Sequence, residues 1–199
     1  MDYIKKNFES LLGLSGFSEN LLTNHFRLYE GYVKNTNNLL EILEKTDQTS
    51  PLYTYLKHRF AWEFNGMRLH ELYFENIEKT PKTIDSFPLF YEEINRQFGS
   101  FSHWEKDFRS TGSLRGIGWT LLVFDPASHR LFNIWVNEHD GGHLLNTVPL
   151  LVMDVFEHAF MLDYGIDRSK YIESFFQQIS WEKVSNRFKE ISSILGIPV

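Results

Sequence analysis

The chain has 199 residues, of which 42% are hydrophobic, 23% charged and 16% aromatic. This composition is typical of a globular protein, and no run approaches the roughly 18 apolar residues that a membrane span requires. The formal charge of −6 argues against a nucleic-acid partner, because phosphate binding requires a basic surface. The absence of cysteine excludes disulfides, thiol nucleophiles and Cys-ligated clusters. We therefore expect a cytoplasmic protein with no membrane or nucleic-acid partner, whose metal, if it has one, is held by nitrogen and oxygen.

The first half of the sequence predicts two long helices joined by a short polar loop. Ser18 is a typical N-cap for a helix over 19–45, and Ser50-Pro51 is a typical start for a helix over 51–77. Apolar residues recur in both segments at spacings of three, four and seven, which places an apolar stripe on one face of each helix. Two such helices are expected to pack as an antiparallel hairpin.

The second half of the sequence predicts a small sheet and further helix. Residues 79–100 contain two prolines and predict a connection with one short helix. The apolar runs 117–124 and 130–137 flank the turn residues Asp-Pro-Ala-Ser-His and predict a β-hairpin. The run 148–153 predicts a third strand, and residues 169–195 return to helical periodicity.

Two histidines lie on the apolar stripes of the predicted hairpin. His25 lies one turn before Tyr29, and His70 lies between Met67 and Phe74. A single histidine on an apolar face is most often a core residue with one hydrogen-bonded nitrogen, and that interpretation remains open for each. Because both face the interior of paired helices, however, a shared metal ion would satisfy one nitrogen on each ring.

A carboxylate and a third imidazole follow the predicted third strand. Asp154 ends the run VPLLVMD, and His158 comes four residues later. The alternative interpretation is a helix N-cap aspartate with an incidental histidine. Three imidazoles and one carboxylate would suit a redox-active first-row metal such as Mn or Fe, although the same set could hold Zn for hydrolysis.

A second candidate metal cluster lies in the segment His139-Asp140-Gly-Gly-His143. Its two imidazoles and its carboxylate are possible ligands. The central glycines are equally typical of a loop with solvated polar groups.

The sequence resembles the iron/manganese superoxide dismutases from about Phe17 to Phe188. The stretch DVFEHAFMLDY, which begins at Asp154, is similar to the family signature D-[VE]-[WF]-E-H-A-Y-x-L-x-Y. Gly118-Trp119 with Leu122-Val123 resembles the family segment G-S-G-W-x-x-L-V. Further similar positions are Tyr32-Val33, Phe98 to Ser100, Arg168, Tyr171 and Trp181.

The resemblance implies an α+β fold and a metalloenzyme. The N-terminal domain, residues 1–84, would be a long antiparallel helical hairpin, and residues 85–199 would form an α/β domain with a three-stranded antiparallel sheet. One Mn or Fe ion per subunit would lie between them and convert superoxide into oxygen and hydrogen peroxide. The metal ligands implied by the motif are His25, His70, Asp154 and His158.

The resemblance also implies roles around the metal. Tyr32 would stand at the substrate funnel, and Trp119 would belong to the aromatic wall. His139 would hydrogen-bond to metal-bound solvent, where family members carry either a glutamine or, in some archaeal proteins, a histidine. Glu157 would reach across the interface of a homodimer or homotetramer to His158 of the partner subunit, and outer carboxylates of this kind fix the orientation of an imidazole.

Three departures from the family pattern concern the first helix and its surroundings. His25 and Tyr32 are seven residues apart, whereas the family has eight, so that a gapless alignment puts Asn24 at the ligand position. We interpret His25 as the ligand, because imidazole is the better donor, and we expect a change in helical winding between Tyr29 and Tyr32. Tyr29 and Met161 replace a family His and Tyr that bond each other.

These replacements leave two alternatives to a dismutase open. One is a metal-binding oxidoreductase or metal-binding protein of the same fold without dismutase activity. The other is an inert interaction protein, against which the intact ligand set argues. The family glutamine that bonds metal-bound solvent is also absent from the second helix, where Gly66 stands. Since a net charge of −6 repels superoxide, we expect a local basic rim, with Arg168 and Lys170 as candidates.

Overall fold

A computed structural model describes residues 2–194 and 196 of the chain. Its helices are α1 Glu19–Lys45, α2 Pro51–Glu75, α3 Pro88–Phe98, α4 Phe101–Gly112, α5 Met161–Tyr164, α6 Arg168–Gln177 and α7 Trp181–Ile194. Its strands are β1 Gly118–Asp125, β2 Arg130–Asn137 and β3 Val148–Asp154. The predicted helical tail ran to Leu195, which lies outside the described residues. None of the described helices combines the length and the apolar character that crossing a membrane requires.

The two long helices begin where the sequence predicts. Ser18 accepts a hydrogen bond from the backbone N–H of Leu21, and Ser50 accepts one from Tyr53, so that both caps satisfy an otherwise free N–H group. Helix α2 ends at Glu75, two residues earlier than predicted, because Ile77 instead forms a β-bridge with Ile179. The α+β architecture, with two long helices and a three-stranded antiparallel sheet, is confirmed.

The sheet places two of the candidate site residues opposite each other. Its strand order is β2-β1-β3, with both pairs antiparallel. Strand β1 is central and almost entirely buried, in agreement with its continuous apolar run. Trp119 on β1 is in register with Asp154 at the end of β3. The indole and the carboxylate therefore share one end of the sheet.

Helix α4 was not predicted, although the short helix expected within 79–100 is present as α3. Gly99 has a φ of 81°, which ends α3, and Ser100 then caps α4 by accepting the backbone N–H of His103. The fully buried face of α4 is narrow and contains two large side chains, Trp104 and Phe108. One pair at a spacing of four is a weak helical signal.

The end of α2 is joined to the sheet by a buried hydrogen-bond cluster. The Asn76 side chain donates to the carbonyl of Val152, and the Asn76 carbonyl accepts from Ser180 N–H. Arg187 on α7 donates to the carbonyl of Leu150 and to the Asn76 side chain. These bonds hold α2 against β3, which brings the histidine of α2 close to the end of the strand.

Candidate metal centre

Four polar side chains from four different elements meet between the hairpin and the sheet. His25 lies on α1, His70 on α2, Asp154 at the end of β3, and His158 in the short 3-10 turn Glu157–Ala159. One nitrogen or oxygen atom of each lies within 4.8 Å of those of the others. Three are fully buried, and the side chain of His158 is 28% exposed. This group, called the metal cluster below, contains the same four residues that the motif implied.

Asp154 is oriented by the backbone that follows it. Its Oδ1 atom accepts the backbone N–H of Phe156 at 2.8 Å, which turns Oδ2 toward the histidines. Oδ2 lies 3.1 Å from Nε2 of His25, 3.1 Å from Nε2 of His158 and 3.6 Å from Nε2 of His70. All three imidazoles therefore face one carboxylate oxygen with the same ring nitrogen.

The tautomer of His70 is fixed by its own helix. Its Nδ1 atom donates to the carbonyl of Gly66 at 2.6 Å, and a carbonyl can only accept. In the neutral ring, Nε2 consequently carries a lone pair. That atom is buried and has no hydrogen-bond partner among the described residues. A buried lone pair aimed at other donor atoms is the arrangement that a metal ligand requires.

Burial sets the charges of the metal cluster. Desolvation lowers the pKa of His25, against the opposing hydrogen bond to Asp154, and it lowers the pKa of His70 well below its ordinary value. Burial acts to raise the pKa of Asp154, but the imidazoles of His158 and His25 hold it well below its usual range. At neutral pH the carboxylate is therefore charged, while His25 and His70 are neutral.

This balance of charge fits a metal cation. A buried carboxylate requires a positive partner, yet in residues 2–194 the ion-pair partners of Asp154 are imidazoles, not Lys or Arg. A first-row metal ion would supply the positive charge and would satisfy the free Nε2 of His70. The three nitrogens and one oxygen are a donor set suited to Fe or Mn.

A chain of three hydrogen-bonded side chains lies beside the metal cluster and is called the aromatic chain below. The indole N–H of Trp119 donates to Nδ1 of His139 at 3.0 Å. Because an indole N–H can only donate, Nε2 of the neutral His139 carries the proton and donates to the Tyr32 hydroxyl oxygen at 2.7 Å. Burial lowers the pKa of His139 to about 4, which keeps the ring neutral. The Tyr32 hydroxyl keeps its own hydrogen free to donate.

The aromatic chain contacts the metal cluster through ring packing. Tyr32 stacks on His70 with ring centroids 5.1 Å apart, and Trp119 packs edge-on against His70 at 5.0 Å. His139 stacks on Phe156 at 4.7 Å, and both of its ring nitrogens are already bonded within the chain. Neither ring nitrogen of His139 is therefore free, in this arrangement, for the direct bond to metal-bound solvent that the resemblance implied.

Trp62 was not predicted from the sequence to be a site residue, and Gly66 was noted only as the position where the family glutamine is absent. Trp62 packs edge-on against His139 at 4.8 Å. At Gly66 a Cβ atom would lie 2.6 Å from the Tyr32 ring, so that only glycine leaves room for Tyr32 to reach His70. The spacing of four that joins residues 62, 66 and 70 on one helix face was the available signal.

The expected change in winding of the first helix is wrong. Helix α1 is α-helical throughout Glu19–Lys45. No change is needed, because seven residues are nearly two full turns and drift by only about 20°. His25 and Tyr32 thus share a face, whereas Asn24 is exposed and donates to Asn20.

Tyr29 and Met161, which replace the bonded His and Tyr of the family, do not form the corresponding bond in the described structure. The hydroxyl of Tyr29 donates to Glu71 at 3.0 Å and accepts the backbone N–H of Lys6 at 2.9 Å. Met161 is 42% exposed. Tyr29 therefore fastens the N-terminal segment to the hairpin.

The second candidate metal cluster is not formed. The side chain of His139 is buried in the aromatic chain, Asp140 is exposed, and Nε2 of His143 donates to the carbonyl of His139. Within the described part of the chain, the metal cluster alone brings three or more possible ligands together. The segment is a loop in which Asp140 is solvated, as the alternative interpretation held, whereas His139 is buried.

Comparison with known proteins gives one consistent result. Residues 88–187 match the family described as "Iron/manganese superoxide dismutases, C-terminal domain". "Superoxide dismutase [Fe]" of Cupriavidus metallidurans is 33% identical over 181 residues, which cover 88% of this chain and 90% of the relative. "Superoxide dismutase [Mn]" of Haloarcula marismortui is 31% identical, covering 87% and 86%. "Superoxide dismutase [Fe]" of Pyrobaculum aerophilum is 28% identical, covering 87% and 84%.

Proposed function

The chain belongs to the iron/manganese superoxide dismutase family, and we propose that the metal cluster holds the ion with which it works. The protein is a superoxide dismutase that uses one Fe or Mn ion per subunit. The proposed ligands are His25, His70, Asp154 and His158. The observation that carries this assignment is the buried Asp154 carboxylate, which faces three imidazole nitrogens and lacks a Lys or Arg partner in residues 2–194.

The reaction consumes two superoxide anions and two protons and yields one oxygen and one hydrogen peroxide. When bound, the metal supplies the one-electron redox chemistry that links the two halves. The protein must hold the ion in an apolar enclosure and deliver the protons. The rings of Phe74, Trp119 and Phe156 pack against the histidines of the metal cluster and provide that enclosure.

Tyr32 is the proposed proton-holding group. Burial raises the pKa of its hydroxyl, so that it keeps its proton at neutral pH. Its oxygen accepts from His139, which leaves its O–H free to donate to an oxygen anion beside the metal cluster. In this proposal His139 and Trp119 are positioning residues, because they fix the Tyr32 hydroxyl through two successive hydrogen bonds.

Metal loading followed by an activity assay tests the proposed function. The purified chain is stripped of metal, reloaded with Fe, Mn or Zn, and assayed for both metal content and superoxide disproportionation. We expect one ion per chain in each case and activity with Fe or Mn only, since Zn has no redox chemistry and serves as the matched control. Tight binding of Fe and Mn without any dismutase activity would contradict the proposal.

The division into two domains, residues 1–84 and 85–199, and the oligomeric state also belong to the proposal. Glu157 is exposed beside His158, whose side chain is the one partly open member of the metal cluster in the described chain. Exposed Met161 and Leu162 follow in the same region. A homodimer or homotetramer with Glu157 at the interface would cover these groups. Light scattering of the wild type and Glu157→Ala should show a multimer that the substitution weakens.

The proposed cytoplasmic location rests on composition alone. Cell fractionation with an antibody against the chain is the direct measurement. We expect the protein in the cytoplasmic fraction.

A further inference from the structure

Superoxide is an anion, and the chain carries a formal charge of −6. Such a charge slows the approach of an anionic substrate unless a local positive field near the site attracts it. The cation that supplies this field must be exposed to solvent and must lie close to the aromatic chain.

The two cations expected for this role are engaged elsewhere. The Arg168 guanidinium donates to the carbonyls of Leu114 and Gly116, at 2.7 and 2.8 Å, which fastens the loop before β1. Lys170 lies 3.1 Å from Asp167 and forms an exposed ion pair at the start of α6. Neither arrangement points to an interaction with the aromatic chain.

Arg59 lies on α2 one side chain away from His139. Its guanidinium carbon is 5.0 Å from the centroid of the Trp62 ring, and the same indole packs at 4.8 Å against His139. Trp62 is half-buried, as is Tyr32, so that this edge of the aromatic chain faces outward. Arg59 therefore lies at the outer end of a continuous series of contacts that ends at the Tyr32 hydroxyl.

The ion pair of Arg59 leaves its positive end on the solvent side. Two of its nitrogens bind one oxygen of Glu63, at 2.6 and 2.9 Å, and the other oxygen of Glu63 accepts from Asn35 at 3.2 Å. The Glu63 side chain is only 5% exposed, whereas that of Arg59 is 43% exposed. An anion approaching from solvent meets the guanidinium before the carboxylate. The buried Glu63 carboxylate fixes the position of the Arg59 guanidinium, and the Trp62 ring stabilises it by a cation–π contact.

We propose that Arg59 is a substrate-guiding residue that attracts superoxide toward Tyr32 by long-range electrostatics, without touching the metal. This role rests on the proposed function, because it takes the substrate and the direction of approach from it. It predicts an effect on the rate of substrate capture that depends on salt, since mobile ions screen charges across solvent.

The kinetic test compares three variants of the metal-loaded enzyme. Arg59→Gln removes the charge, Arg59→Lys keeps it, and Arg96→Gln is the matched control, because Arg96 forms a similar pair with Glu93 on α3 and is 64% exposed. We expect kcat/KM of Arg59→Gln to fall about three- to tenfold at low ionic strength. The difference should vanish near 1 M salt, where the screening length is about 3 Å. Arg59→Lys should stay near wild type, and equal salt profiles for Arg59→Gln and Arg96→Gln would overturn the proposal.

A second measurement requires neither metal nor activity. Iodide, an anion, and acrylamide, a neutral molecule, both quench tryptophan fluorescence, and the difference between wild type and Trp62→Phe isolates Trp62. In the metal-free protein, Arg59→Gln should weaken quenching of Trp62 by iodide and leave quenching by acrylamide unchanged, while Arg96→Gln changes neither. If iodide quenching falls but kcat/KM does not, Arg59 attracts anions without guiding substrate, and the proposal is wrong. If the loaded wild type is inactive, the proposed function fails instead, while the quenching still reports the local field.

Discussion

The metal cluster and the aromatic chain are neighbours, but their polar groups are satisfied in different ways. In the metal cluster, a buried carboxylate faces three imidazoles, and Nε2 of His70 has no hydrogen-bond partner in the described structure. In the aromatic chain, the N–H groups of Trp119 and His139 each have an acceptor, and only the O–H of Tyr32 stays free to donate. The first region requires a cation, whereas the hydrogen bonds that position the second form without a ligand. We therefore expect substitutions in the first to change metal affinity, and substitutions in the second to change the rate.

A large loss of metal affinity is expected for His25→Ala. Removing this imidazole leaves three ligands, and we expect at least a tenfold to hundredfold loss of metal affinity, since even outer partners of a metal site cost about that much. The matched variant is Asn24→Ala, which removes an exposed amide bonded to Asn20 and should keep full metal occupancy. Metal content after dialysis against a chelator measures both. Occupancy that survives His25→Ala but not Asn24→Ala would show that the ligand assignment is wrong.

Gly66→Ala should separate the two regions. Its Cβ atom would lie 2.6 Å from the Tyr32 ring, and we expect the ring to be displaced at a cost of about 1–3 kcal/mol in the free energy of unfolding. The metal should still bind, because the Gly66 carbonyl that holds His70 belongs to the backbone. The three measurements are the free energy of unfolding in urea, the metal content and the dismutase rate.

The control for this substitution is Gly31→Ala in helix α1. Apart from its chain neighbours and the nearby backbone of its own helix, no described atom lies within 4 Å of a Cβ at that position, so that alanine should stabilise the helix by about 0.5–1 kcal/mol and leave the rate unchanged. Equal effects of the two substitutions on the rate would contradict the role assigned to Gly66.

A smaller effect is expected for Tyr32→Phe. The ring remains on His70, but one hydrogen-bond donor of about 1 kcal/mol is lost, and we expect the rate to fall about fivefold with full metal content. Tyr29→Phe is the matched variant. It leaves the Lys6 N–H without an acceptor and removes one bond to Glu71, which Arg68 still contacts, so that it should lower stability by about 1 kcal/mol without changing the rate. A rate loss confined to Tyr29→Phe would reverse the assignment of the two tyrosines.

The smallest effect is expected for His139→Gln. A glutamine amide can accept from Trp119 with its oxygen and donate to Tyr32 with its nitrogen, so that the rate should stay within about twofold of wild type. His139→Leu leaves both neighbours unpaired and should destabilise the fold by about 2–4 kcal/mol. Thermal unfolding and the rate together test the donor and acceptor order of the aromatic chain. A glutamine variant as impaired as the leucine variant would contradict that order.

The sequence predicted the elements whose signals are local and repeated. Ser18 and Ser50-Pro51 mark helix starts, and the apolar runs on both sides of a turn mark the hairpin of the sheet. Helix α4 was not predicted, because a single buried pair, Trp104 and Phe108, gives too weak a helical periodicity. The winding change in α1 was wrong because an alignment gap does not require a distorted helix when seven residues are nearly two turns.

The family motif named the metal cluster and the three members of the aromatic chain, but not the residues that pack around them. Each of His25, His70, Asp154 and His158 has an ordinary structural interpretation when taken alone, so it is their combination in the family motif that identified them. No sequence signal distinguishes Trp62 and Arg59 as site residues, because half-buried aromatic and charged residues are common on any helix. Their relation to His139 depends on a loop more than 70 residues later in the chain. Contacts of that range are set by tertiary packing, which local patterns do not encode.

Metal binding by Asp154→Asn tests the central claim most directly. The substitution keeps the size of the side chain and the bond to Phe156 N–H, but it removes the negative charge that faces the three imidazoles. Asp140→Asn, on an exposed acid of the nearby loop, is the control. Titration of the metal-free proteins with Fe or Mn should give one ion per chain for wild type and Asp140→Asn, and none for Asp154→Asn. Stoichiometric binding by Asp154→Asn with wild-type affinity would contradict the account.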